Sequence, residues 1–185
     1  VWLVADADSP DYNHVMACID TSTYHDVDTQ LNARIYELAS SVSQQHEARA
    51  SIVQAWRMDA ESILKARVPE KDVKEMLEQR RVRVDRLLNK FLSSFDHRTG
   101  NNGVHLLKGE PDNVIPTFAE ENDVDLIVMG TVARSGLTRM VVGNTAERIL
   151  DKVNCSVLTV KPDTFVSPIK EAEYIDFTRQ VEHAS

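Results

Sequence analysis

The residues with the clearest chemical meaning are Gly130, Gly143, Asn144 and Thr145, which bracket a loop carrying Arg134, Ser135, Gly136 and Arg139. Glycine lets a backbone take positive φ or approach a ligand closely, and Gly130 is expected to do so. The first amides of a helix have no intrahelical acceptor, and the macrodipole there is positive. A loop of this kind suits an oxyanion such as phosphate held through the backbone. Asp20 is a second polar residue at the end of an apolar run, where its alternative is a solvated turn acid. No general base, metal cluster or nucleophile pair stands out. The six His residues, at 14, 25, 46, 97, 105 and 183, lack metal-ligand spacing, and His105 reads as a structural residue within a strand. Cys18 and Cys155 have neither the number nor the spacing of a disulfide framework or zinc site and read as buried, inert thiols.

The elements that position these residues follow from periodicity. Apolar runs at 14–19, 51–56, 103–108, 125–129 and 157–160 read as strands, the fourth breaking at Gly130. Helices are expected from about Thr29 to His46, from Pro69 to about Phe95, and after Gly109-Glu-Pro111, where Pro116 must sit near the first turn or kink the helix. A last helix is expected to be capped by Asn144, with Glu147 three residues later as a variant capping box. Strands alternating with helices give a parallel sheet in one α/β domain of five strands.

A chain of 185 residues with 42% hydrophobic residues is enough for a single sizeable core. Its net charge of -8 works against sequence-independent nucleic-acid binding, which needs basic surface. The run of Arg80, Arg81, Arg83 and Arg86 is interleaved with Glu78 and Asp85 and reads as a charge-balanced, exposed helix face. No apolar run approaches the roughly 20 residues of a membrane span, so no membrane span and a cytoplasmic location are expected.

The stretch DLIVMGTVARSGLTRMVVGNTAERILDKVNCSVLTVK, residues 125–161, resembles the universal stress protein family. Its nucleotide-binding members carry Gly, two residues, Gly, nine residues, Gly, then Ser or Thr. Gly130 and Gly143 meet that pattern, whereas Ala133 replaces the second glycine and Asn144 the Ser or Thr. The resemblance implies an open five-stranded parallel sheet, Rossmann-like and similar to the adenine-nucleotide alpha hydrolases, with strand order 3-2-1-4-5 and a ligand crevice where that order reverses. By position it implies a binding set of Asp20, Ala55, Met129, Gly130, Val132, Ala133, Gly143, Asn144 and Thr145. Asp20, Ala55, Met129, Gly130 and Val132 would lie near base and ribose, and the rest near phosphate.

The function implied is non-enzymatic, a bacterial stress-response domain binding a small ligand and protein partners. ATP or another adenine nucleotide is the implied ligand, and no cofactor is required. Two alternatives stay open: a site that has lost ATP and takes a more apolar metabolite, and an ATP-hydrolysing enzyme of the same superfamily. The latter is expected to need a Ser-Gly-Gly-x-Asp-Ser type loop where this chain has Asp20-Thr-Ser-Thr-Tyr24.

The resemblance also suggests a tandem arrangement. Val1-Trp-Leu-Val4 parallels Val157-Leu-Thr-Val160, so residues 1–10 are expected to be the last strand and linker of a preceding domain, 11–165 the domain itself and 166–185 a flexible tail. The final strand, at a sheet edge, is expected to pair with that preceding domain, with a second copy in a homodimer, or with Val1 to Val4.

Overall fold

A computed structural model describes residues 2–3, 11–22, 26–95, 103–131 and 143–162. The order is β1 (Trp2–Leu3), β2 (His14–Cys18), α1 (Asp26–Gln45), β3 (Arg49–Trp56), α2 (Glu61–Arg67), α3 (Glu70–Leu92), β4 (Gly103–Lys108), α4 (Pro111–Glu121), β5 (Leu126–Gly130), α5 (Asn144–Leu150) and β6 (Ser156–Val160). Strands β2 to β6 are parallel where they pair, in the order β6-β5-β2-β3-β4, which is 3-2-1-4-5 when these five are counted alone. Strand β1 adds antiparallel to the outer edge of β6, with Trp2 opposite Leu158 and Leu3 opposite Val157.

The central strand explains why the apolar runs are continuous rather than alternating. His14 to Ala17 are all buried because helices cover both faces of β2. Ile35 and Ala39 of α1 and Leu88 and Leu92 of α3 pack with Val15, Ala17, Ile52, Leu126 and Val128 on one face. Ile115, Phe118 and Ala119 of α4 and Ala146 and Ile149 of α5 pack with Met16, Val53, Ile127, Met129 and Val157 on the other.

Several local expectations change. The polar stretch before Pro69 holds the short helix α2, which buries none of its residues and therefore leaves no apolar stripe to read. Its first turn is held by Glu61, whose carboxylate accepts from Lys108 and Lys65 at 2.8 Å each. The long helix ends at Leu92 rather than near Phe95. In α4, Pro111 takes the first turn, where its missing N–H is harmless, while Pro116 lies inside the helix.

Two further corrections concern the candidate loop. Gly143, not Asn144, caps α5, with extended φ and ψ and no side-chain cap bond; Glu147 N donates to Gly143 O at 3.1 Å. Asn144 is thus the first helical residue. Gly130 also lies outside the positive-φ region, which among the glycines of the described residues is occupied by Gly109 alone. A Cβ at Gly130 would stand 3.0 Å from Leu31 Cδ2 and 3.6 Å from Ile35 Cδ1, so the glycine lets α1 close onto the sheet. Among the described residues no helix is long and apolar enough to cross a membrane.

Candidate functional site

Where the strand order reverses, between β2 and β5, neighbouring loops leave in opposite directions and a crevice opens at the carboxyl ends of the strands. A cavity of about 620 Å³ lies there, a size suited to a small organic ligand. Asp20, Ala55, Met129, Gly130, Gly143, Asn144 and Thr145 all line it, so residues up to 125 positions apart in the chain meet at one place. Val132 and Ala133, with Arg134 and Arg139, lie outside the described residues.

Each wall has a local cause. Asp20 follows β2 and is fixed by Asn32 of α1: Asp20 N donates to Asn32 Oδ1 at 3.2 Å, and Asn32 Nδ2 donates to Asp20 O at 2.8 Å. The Asp20 carboxylate accepts from Ser22 N at 2.9 Å, an Asx turn that ties the loop down. Opposite, Gly143 N donates to Thr131 O at 2.8 Å, which sets the start of α5 against the end of β5. Asn144 and Thr145 then open the helix with no residue ahead to accept their amides within it.

Other lining residues were not singled out by sequence. Gln54 is 1% exposed and accepts from the Thr21 hydroxyl at 2.9 Å. Thr131 is 4% exposed, and among the described residues its hydroxyl oxygen has no hydrogen-bond partner. Trp56, Arg57, Arg80 and Glu110 complete the far end, where the Arg57 guanidinium donates to Glu110. The one available signal was Gln54 itself, a polar residue inside the apolar run Ser51–Trp56. Packing against α1 and α3 decides that it faces this cavity, and that is not written in β3.

Titratable groups in the cavity do not make a reactive pair. Among the described residues no histidine lines it, and burial pushes the Cys18 thiol up to about 12, far from thiolate chemistry at neutral pH. Cys155, outside the cavity lining, is likewise pushed up by burial to about 11. A Ser–His contact does exist, with His14 Nε2 and Ser51 Oγ 2.7 Å apart, but it is buried at the amino ends of β2 and β3. There Arg49 Nη2 reaches His14 Nδ1 at 2.7 Å and donates to Asn122 O at 2.8 Å, while Asp125 Oδ2 accepts from the amides of Asn13 and His14. That cluster ties the sheet's lower end together rather than serving the crevice. Among the described residues, no group of three or more His, Cys, Asp and Glu side chains is placed to hold a metal ion.

Comparison with known proteins agrees with this geometry. Over 177 residues the chain is 29% identical to Universal stress protein E of Photorhabdus laumondii, covering 94% of this chain and 55% of that protein. The chain spans about half the length of the curated relatives it matches first. A functionally unknown protein, PA1789, from Pseudomonas aeruginosa PAO1 superposes with a TM-score of 0.65 at 26% identity, over 87% of this chain and 52% of that one. A universal stress protein crystallised in complex with cAMP shares the fold, with a TM-score of 0.50 at 18% identity over 80% of this chain and 96% of that one. The universal stress protein family profile matches residues 11–161. Because that match runs through every strand of the parallel sheet and both flanks of the crevice, the chain belongs to the universal stress protein family.

Proposed function

We propose that this domain is a non-enzymatic, nucleotide-binding component of a bacterial stress response, acting through an adenine nucleotide in the crevice and through protein partners. The observation that carries this reading is the convergence of Asp20, Ala55, Met129, Gly130, Gly143, Asn144 and Thr145 on one cavity at the switch point. Asn144 supports it further, because its side chain caps no amide and is available to a phosphate oxygen. A non-enzymatic role is supported by Cys18, whose burial holds its thiol protonated, and by a described lining that pairs no histidine with it. The relative crystallised with cAMP supports an adenine nucleotide as the class of ligand.

Charge favours a small nucleotide over a triphosphate. The described lining holds four carboxylates, Asp20, Asp28, Asp59 and Glu110, against two guanidiniums, Arg57 and Arg80. The test is calorimetric titration of ligand-stripped protein with AMP and with ATP. AMP should bind at least as tightly as ATP, and Ala55→Phe, which fills the cavity, should weaken it about tenfold or more. Absence of binding by both nucleotides, or indifference to Ala55→Phe, would overturn the reading. The acidic lining also favours a second reading, an uncharged and more apolar metabolite, which native mass spectrometry of the purified chain would reveal as a bound mass lacking adenine.

A further inference from the structure

The cavity extends beyond the wall that the nucleotide reading uses. Along β3, Val53 and Ala55 belong to the face covered by α4 and α5, and Ile52 to the face covered by α1 and α3. Strand alternation places Gln54 and Trp56 with Ile52. The cavity is lined there by Leu31 and Ile35 of α1, Gln54 and Trp56 of β3, and Arg80 and Val84 of α3. Arg80 and Val84 stand one turn apart, on the same side of their helix.

Two polar groups in this arm lack the partners that their surroundings demand. Gln54 spends its side-chain carbonyl on Thr21, and among the described residues nothing accepts from its NH2. That amide is open to the cavity, free to donate to whatever occupies it. Arg80 makes one long bond, its Nε donating to Arg57 O at 3.4 Å, and no carboxylate among the described residues pairs with it. Arg57, by contrast, is engaged by Asp59 and Glu110.

We propose that this second arm binds an oxyanion, carboxylate or phosphate, carried on an apolar body that lies against Trp56, Val84 and Ile35. Arg80 supplies the opposite charge, and Gln54 supplies a directional donor. The apolar wall disfavours a free hydrated ion, which would lose its water without compensation. The arm lies on the opposite face of β3 from Ala55.

The test uses three probes with one ring system, 2-naphthoate, 2-naphthyl phosphate and neutral 2-naphthol, titrated calorimetrically into the full chain alongside AMP. At least one anion should bind more tightly than naphthol, and the tighter of the two identifies the oxyanion. Gln54→Leu and Arg80→Met should each weaken that anion about tenfold. Gln54→Glu, which keeps the shape and the Thr21 bond but adds a negative charge, should weaken it further. Binding of the anion without AMP would sink the nucleotide reading and leave this one standing. Failure of both anions to bind, naphthol binding as tightly as they do, or variants indistinguishable from the native chain would overturn the proposal.

Discussion

Gly109 and Gly130 both edge the cavity, yet opposite constraints hold them as glycine. Gly109 has φ of +149°, a conformation that side chains rarely adopt, and a Cβ there would meet Val114 Cγ1 at 2.5 Å. Gly109→Ala should therefore cost about 1–3 kcal/mol in urea denaturation, from backbone strain and collision together. Gly130 has an ordinary backbone and is limited only by Leu31 at 3.0 Å. Gly130→Ala should cost about 1 kcal/mol or more, and Leu31→Ala introduced with it should cost less than the sum of the two single changes. Additivity in that cycle would show that the contact is not what selects glycine. The sequence marked Gly130 as special but attached the wrong reason, because the constraint comes from a helix about 100 residues earlier.

The amino ends of β2 and β3 carry the fold's clearest pH dependence. Burial lowers the pKa of His14 from its usual value, and Arg49 beside it acts in the same direction. Asn122 O and Asp125 oppose this, while the nearby His105 adds to the lowering. Either neutral tautomer leaves one ring nitrogen as an acceptor, from Arg49 at Nδ1 or from the Ser51 hydroxyl at Nε2; protonation removes it. Because the folded pKa is depressed, the unfolded chain binds the proton more readily, so stability is full above about pH 6.5 and falls as pH drops below it. The urea midpoint should fall between pH 7.5 and 5.5, and by less in His14→Gln; equal falls in both chains would exclude His14 as the cause. His105, buried in part against Phe118, contributes in the same direction. At this level the sequence was informative where burial is two-sided: all five parallel strands were legible as apolar runs, within two residues at each end. It was silent on α2, and it misplaced the α5 cap because Asn144 is a better capping residue by type than Gly143, which holds the position. The meeting of Asp20, Ala55, Met129, Gly130 and Gly143 to Thr145 in one cavity was legible from the family pattern, whereas that of Gln54, Trp56 and Arg80 was not, since it depends on how α3 crosses β3.

In the whole molecule, edges decide what the sheet can join. Strand β1 occupies the outer edge of β6 through only two residue pairs. Deleting residues 1–10 should expose β6 and cause the chain to self-associate in sedimentation velocity, in proportion to concentration; a strictly monomeric truncation would show that this edge is protected in some other way. Strand β4, at the opposite edge, presents Val104 to solvent, and Val104→Ser should leave the truncated chain's association unchanged if β6 is the adhesive edge. The central place of β2 has a consequence in time as well as in space. Its partner β5 lies more than a hundred residues downstream, and Asp125 reaches back 112 positions to hold Asn13. A nascent chain whose residues up to 120 have left the ribosome has made β2, β3 and β4 with their helices, but neither β5 nor Gly143 to Thr145 exists to close the crevice. Such a nascent chain therefore carries an open apolar edge along β2 that invites chaperones until β5 arrives to cover it.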